Sequence, residues 1–194
     1  MCNNKSVLCF SVIVFFLYGI LTNTLYAWSG GPPAYKTGAP VDSGTCNTSG
    51  CHNSFDLNSG TAQFTITGPA AYKPGKTIKL KVSFENSTGK LHGFEMTALD
   101  AANNSIGKFK KIGNTTQVIP PNDYRGLEGE DKGKYIEHTA KGNKKKVWRV
   151  KWTAPKSATG TIAFYAAGNE GNGDGNYTGD YIYTATLEIN EYSE

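Results

Sequence analysis

Residues 77–85 alternate without a break. Ile78, Leu80, Val82 and Phe84 fall on one side of an extended chain, and Lys79, Lys81 and Ser83 fall on the other. Strand side chains point to opposite faces with a period of two, so this run predicts a half-buried strand rather than a helix with one apolar stripe. Pro74-Gly75 supplies a turn just ahead of it. Residues 145–153 repeat the device, with Trp148, Val150 and Trp152 inward and Arg149 and Lys151 outward. Weaker or mixed strands are expected over 62–67, 92–99, 115–119 and 135–139. Residues 161–167 are apolar on both faces, as in a central strand, and 181–189 place Tyr181, Tyr183, Ala185, Leu187 and Ile189 on one side. Helical periodicity is almost absent. Many short strands between Gly-, Pro- and Asn-rich turns predict an all-β fold, an antiparallel β-sandwich over residues 60–190. Residues 28–59, rich in Gly, Pro, Ser, Thr and Asn, predict an irregular segment in front of it.

The first 27 residues predict a secretory signal. Lys5 gives the positive start, residues 7–21 form an apolar run, and Ala27 offers a cleavage point. The run is short against the roughly 20 apolar residues of a membrane helix, so no stable span is expected after cleavage; an uncleaved anchor is the alternative. Removal takes Cys2 and Cys9 and leaves Cys46 and Cys51 as the only cysteines of a periplasmic or extracellular protein. The net charge is +4. Its densest cluster, Lys141 with Lys144, Lys145 and Lys146, stands beside a strand pattern and predicts a solvated loop, with docking of an acidic partner as the alternative. No basic stripe interleaved with aromatics and no nucleic-acid motif is present, so no nucleic-acid partner is expected.

The mature cysteines share one motif, Cys46-Asn47-Thr48-Ser49-Gly50-Cys51-His52. With a two-residue spacer, Cys-x-x-Cys-His attaches c-type haem: each thiol forms a thioether and the histidine binds iron. Here the spacer has four residues, all small or polar, which suits a loop turned outward. Haem c attached through Cys46 and Cys51 with His52 as proximal ligand is one reading. A Cys46–Cys51 disulfide is another, allowed by the same compartment. Zinc is a third, with Cys46, Cys51, His52 and a fourth ligand from His92 or His138. A haem would need a second axial group. His138, His92 and Met96 are the candidates, the last two sharing one face of the strand over 92–99.

The Gly-, Asn- and Asp-rich stretch 169–180 offers Asn172, Asp174 and Asp180 as oxygen ligands for calcium. It lacks the ordering of a calcium loop and predicts a long hairpin or crossover loop instead. No nucleophile elbow, zinc-protease helix or paired-carboxylate arrangement is recognisable, so an electron carrier or a binding module is expected rather than an enzyme.

Thr37-Gly38-Ala39-Pro40 and the cysteine motif resemble the opening of secreted domains known as choice-of-anchor V, which are related to reelin-like (reeler) β-sandwiches. Five later stretches resemble that group in the same order: 93–99, Tyr135-Ile136-Glu137-His138-Thr139, Trp152-Thr153-Ala154-Pro155, 164–169 and 179–184. The resemblance spans about residues 35–187. It implies an immunoglobulin/reelin-like sandwich led by a haem-attachment-like segment, although the group's usual spacer has two residues. The His-Thr pair recurs in the group, which makes His138 the first choice for the distal ligand. Many members carry a C-terminal anchoring segment; the chain ends at Glu194 after its last strand, and a released or periplasmic protein is expected. One haem c, a redox partner protein and single-electron transfer make up the leading functional expectation. A non-redox binding or adhesion module closed by a Cys46–Cys51 disulfide is the alternative.

Overall fold

The computed structural model describes residues 28–193; the signal segment over residues 1–27 lies outside them. Ten strands follow in order: β1 (Gln63–Thr67), β2 (Ala71–Tyr72), β3 (Thr77–Glu85), β4 (Leu91–Leu99), β5 (Lys108–Lys111), β6 (Thr116–Val118), β7 (Tyr135–His138), β8 (Val147–Thr153), β9 (Ile162–Gly171) and β10 (Tyr181–Glu191). They form a four-stranded sheet ordered β1-β3-β8-β5 and a six-stranded sheet ordered β2-β10-β9-β4-β7-β6. Every pairing is antiparallel except β2 with β10. The expected all-β sandwich is present. No described helix is long and apolar enough to cross a membrane.

The alternation that predicts β3 and β8 also sets their register. Ile78, Leu80 and Val82 stand opposite Trp152, Val150 and Trp148, so both apolar rows turn to the same face. A slip of one residue would turn every one of them to solvent, which is why register here is strongly specified. These rows meet Phe94, Met96, Ile136, Phe164 and Ala166 of the six-stranded sheet in one continuous core. Trp152 meets Phe164 edge-on at 5.1 Å, and Phe94 lies 4.9 Å from Trp148. Burying a large apolar side chain of this kind contributes about 2–3 kcal/mol, so this interface dominates stability.

Two short strands are new and several boundaries move. β5 is an added edge strand whose only apolar residue is Phe109, and β2 is two residues long. β8 begins at Val147 rather than Lys145, and β9 runs on through Gly168, Asn169 and Glu170 to Gly171.

Residues 28–59 hold no strand, only an isolated bridge between Thr37 and Thr45. They cover the outer face of the six-stranded sheet. The Glu95 carboxylate on β4 accepts from the Tyr35 and Lys36 amides at 3.0 and 3.1 Å, and the Tyr135 hydroxyl on β7 donates to Asp42 at 2.6 Å. Ala34 packs with Ile119, Leu127 and Tyr135 in a second, smaller apolar cluster. These contacts fix the leader on the sheet and bring the cysteine motif to one end of the sandwich.

Candidate haem cleft

A cleft of about 320 Å³ opens where the leader crosses the start of β4 and the end of β9. Its wall contains Cys46, Cys51, His52, His92 and His138. The chain has three histidines, so all of them line this one cleft, beside the only two cysteines among the described residues. Trp28, Pro32, Leu91, Phe94 and Tyr177 supply apolar surface, and Lys36, Asn143, Asn169 and Asp180 supply polar groups. A mostly apolar concavity with a few convergent polar groups is the usual form of a ligand site, and its volume lies within the usual range.

The motif closes on itself. The His52 amide donates to the Cys46 carbonyl at 3.1 Å, and the Cys51 amide to the Thr48 carbonyl at 2.9 Å. Gly50 adopts φ +81°, a left-handed turn that glycine enters without a Cβ clash. Ser49 and Gly50 are exposed while Cys46 and Cys51 are partly covered, and both cysteines line the cleft with Gly50 between them.

Cys46 and Cys51 carry free thiols. Burial pushes the Cys46 thiol up to about 12, and the Glu95 charge adds to the effect. No group of three or more metal-ligating side chains comes together among the described residues. The oxygen donors of the 169–180 loop hydrogen-bond within the loop and to His52. Asp180 accepts from His52 and from the Asn172 amide at 2.8 Å each, and the Asn172 side-chain amide donates to Asp174 at 3.2 Å.

His52 Nδ1 donates to Asp180 Oδ2 at 2.8 Å. A ligand histidine commonly gives its second N–H to a carboxylate, which fixes the tautomer and leaves Nε2 with the lone pair. The Asn169 amide nitrogen lies 3.2 Å from both ring nitrogens and is the group that a ligand to Nε2 would displace. His138 is buried against β4, its Nδ1 3.1 and 3.2 Å from the Phe94 amide and carbonyl, and its Nε2 has no hydrogen bond among the described residues. Burial holds the ring down to about 4, so it is a neutral imidazole at ordinary pH, the form that binds metals. The ring fits because residue 93 is glycine; a Cβ there would stand 2.6 Å from His138 Cε1.

The other two distal candidates are placed differently. His92 Nε2 is bonded to the Ser87 hydroxyl at 2.6 Å, inside a network with Glu170 and Tyr183. Met96 is fully buried in the sandwich core and does not line the cleft. Sequence reasoning missed the roles of Asp180 and Asn169. Asp180 is 128 residues from His52, and no spacing signal links them.

Compared with known proteins, residues 44–170 match the family model of the Reeler domain. The matched span contains the cysteine motif, His92 and His138, while Trp28, Pro32 and Lys36 of the cleft precede it and Asp180 follows it. No curated protein matches the chain.

Proposed function

The chain belongs to the Reeler domain family, and on that premise we propose that it is an extracytoplasmic β-sandwich module holding one covalently attached haem c in this cleft and passing single electrons to a partner protein. Reeler domains are typically extracellular, the setting the leader sequence also predicts. One observation carries the reading: both thiols and all three histidines, drawn from distant parts of the chain, converge on one largely apolar cleft.

In this reading Cys46 and Cys51 are the thioether donors, His52 the proximal ligand and His138 the distal one. The bound group would supply a one-electron iron couple, with a second histidine rather than methionine favouring a lower potential. The chain's own residues do the rest. Asp180 fixes the His52 tautomer and ring orientation. Burial keeps His138 neutral, and the backbone of β4 orients it. Leu91, Phe94 and Trp28 keep the cleft apolar.

The family match favours a second reading on independent grounds: a non-redox binding module, with the cleft taking another ligand and Cys46 and Cys51 joined as a disulfide. Expression with the native residues 1–27 in a host that matures c-type cytochromes separates the two. A pyridine haemochrome spectrum and an intact mass increased by one haem are expected. A bare chain lighter by two hydrogens would sink the cytochrome reading and leave the disulfide module.

A further inference from the structure

Asn-x-Ser/Thr is the acceptor signal for N-linked glycans, and among the described residues it begins at Asn47, Asn86, Asn103, Asn114 and Asn176. The surroundings of these tripeptides differ. Asp174 stands two residues before Asn176, giving Asp174-Gly175-Asn176-Tyr177-Thr178. Thr45, Phe84, Ala101 and Ile112 hold that place in the other four. A carboxylate there offers a charge-assisted contact to a basic group on an oligosaccharyltransferase.

The fold separates the five further. Asn47 is half-buried, and its side-chain amide donates to the Phe55 carbonyl at 3.0 Å. After Asn86, Ser87 is buried and the Thr88 amide is tied to Glu170 at 2.7 Å. At Asn103 the turn is closed by Asp100, which accepts from the Asn104 amide at 2.8 Å, and Ser105 bridges to Leu99. After Asn114, Thr116 is fully buried on β6 and paired with His138. A transferase that must grip the hydroxyl residue meets a locked backbone or a covered side chain at each of these four.

Asn176 is placed differently. β9 ends at Gly171 and β10 begins at Tyr181, so the whole signal lies outside the sheet. Asp174, Gly175, Asn176 and Thr178 are exposed. Asn172 holds the loop: its side chain accepts from the Asp174 amide at 2.9 Å and donates to the Thr178 carbonyl at 3.0 Å. The Gly179 amide donates to the Ser54 hydroxyl at 2.9 Å. These are exposed bonds and none belongs to a ladder, so the segment can be drawn out without opening the sandwich. The Asn176 amide donates to Asp174 at 2.8 Å and holds its carboxyl below the usual carboxylate range, so the acidic group is charged near neutrality.

We propose that Asn176 is an N-glycosylation site whose glycan donor is a polyprenyl-diphosphate-linked oligosaccharide presented outside the cytoplasm. In the transfer, Asn176 Nδ2 attacks C1 of the first sugar. A C–N bond forms, and the bond from C1 to the diphosphate oxygen breaks. The lipid diphosphate leaves with the electron pair, one amide proton passes to a base of the transferase, and nothing is oxidised or reduced. Gly173, Gly175, Asn176 and Tyr177 line the cleft, so the glycan stands at its mouth. The site needs neither a haem nor a disulfide and shares only the extracytoplasmic setting with those two readings.

The test incubates the folded full chain with a purified bacterial oligosaccharyltransferase that requires an acidic residue two places before the asparagine. Its lipid-linked oligosaccharide is the donor, and a peptide acceptor of the same pattern controls for transferase activity. An intact mass raised by one glycan is expected, with peptide mapping placing it on Asn176. Asn176→Gln should abolish the gain. Asp174→Asn and Thr178→Ala should each slow the transfer about tenfold or more, because each removes one polar contact with the transferase. An unchanged mass beside a modified control peptide would overturn the proposal. So would a glycan mapped to another asparagine, or full rates in both the Asp174 and Thr178 variants.

Discussion

If the cleft holds a haem as proposed, a single ring decides its distal side. His138 is the one histidine in the wall whose Nε2 has no partner among the described residues, whereas His92 gives its own to Ser87. In haem-loaded protein, His138→Ala is therefore expected to lose the low-spin absorption spectrum and His92→Ala to retain it. The reverse result would move the distal role to His92. Gly93→Ala should act like His138→Ala without touching the histidine, because the new Cβ meets the ring at 2.6 Å. The same scale yields a pH prediction at Glu170. Burial pushes its carboxyl up, but hydrogen bonds from Ser87, Tyr183 and the Gly89 and Thr88 amides outweigh that and hold it below the ordinary 4.5. A carboxylate depressed in the folded state stabilises the fold above its unfolded pKa, and the contribution is lost as pH falls through the folded value. Glu170→Gln should be about 2 kcal/mol less stable than wild type near neutrality. In urea unfolding, the gap should close as pH drops below about 4.5. A gap independent of pH would show that the charge is not what these donors read. The cysteine motif and its histidine are legible in sequence because their chemistry needs fixed spacing. His138 is put first only through the family resemblance, and Asp180 stands out in sequence only as an oxygen donor of the 169–180 stretch, since only folding brings it to His52.

At the level of elements, legibility follows how much of a strand is buried on one face. β3 and β8 alternate over their whole length and are predicted almost to the residue. β5 has one apolar residue among three lysines, and β2 exists only because β10 accepts it as a parallel edge, so neither leaves a pattern. The glycines and polar residues that extend β9 to Gly171 look like a loop in sequence. Their backbone is claimed by β4 and β10, which pair with Gly168, Asn169 and Glu170. The leader is held by side chains that reach across from the sheet rather than by a ladder. Tyr135 is fully buried, and its hydroxyl donates to Asp42, whose other oxygen accepts from the Thr37 amide and hydroxyl. Tyr135→Phe should thus cost about 1 kcal/mol. Hydrogen exchange should quicken at the amides of Thr37 and Ala39 while β4 and β9 stay protected. Unchanged protection in the leader would assign its docking to Glu95 and the Ala34 cluster instead.

Across the whole molecule, the groups that hold the fold and the groups that line the cleft are nearly separate sets. Of the cleft residues only Phe94 also belongs to the main core. The sandwich is closed by Trp148, Trp152 and Phe164, none of which reaches the cleft, and the cleft is lined by strand ends and loops at one end. This is the division expected where a rigid scaffold positions functional loops. It also sets the chain apart from small domains that need a disulfide or a metal to fold. The double variant Cys46→Ala, Cys51→Ala should accordingly retain the β-sheet circular dichroism signal and one cooperative unfolding transition, while its mass and spectrum lose any attached haem. A variant that instead gave a random-coil spectrum would mean that the covalent group is part of the folding nucleus. The cleft would then be a structural centre of the fold.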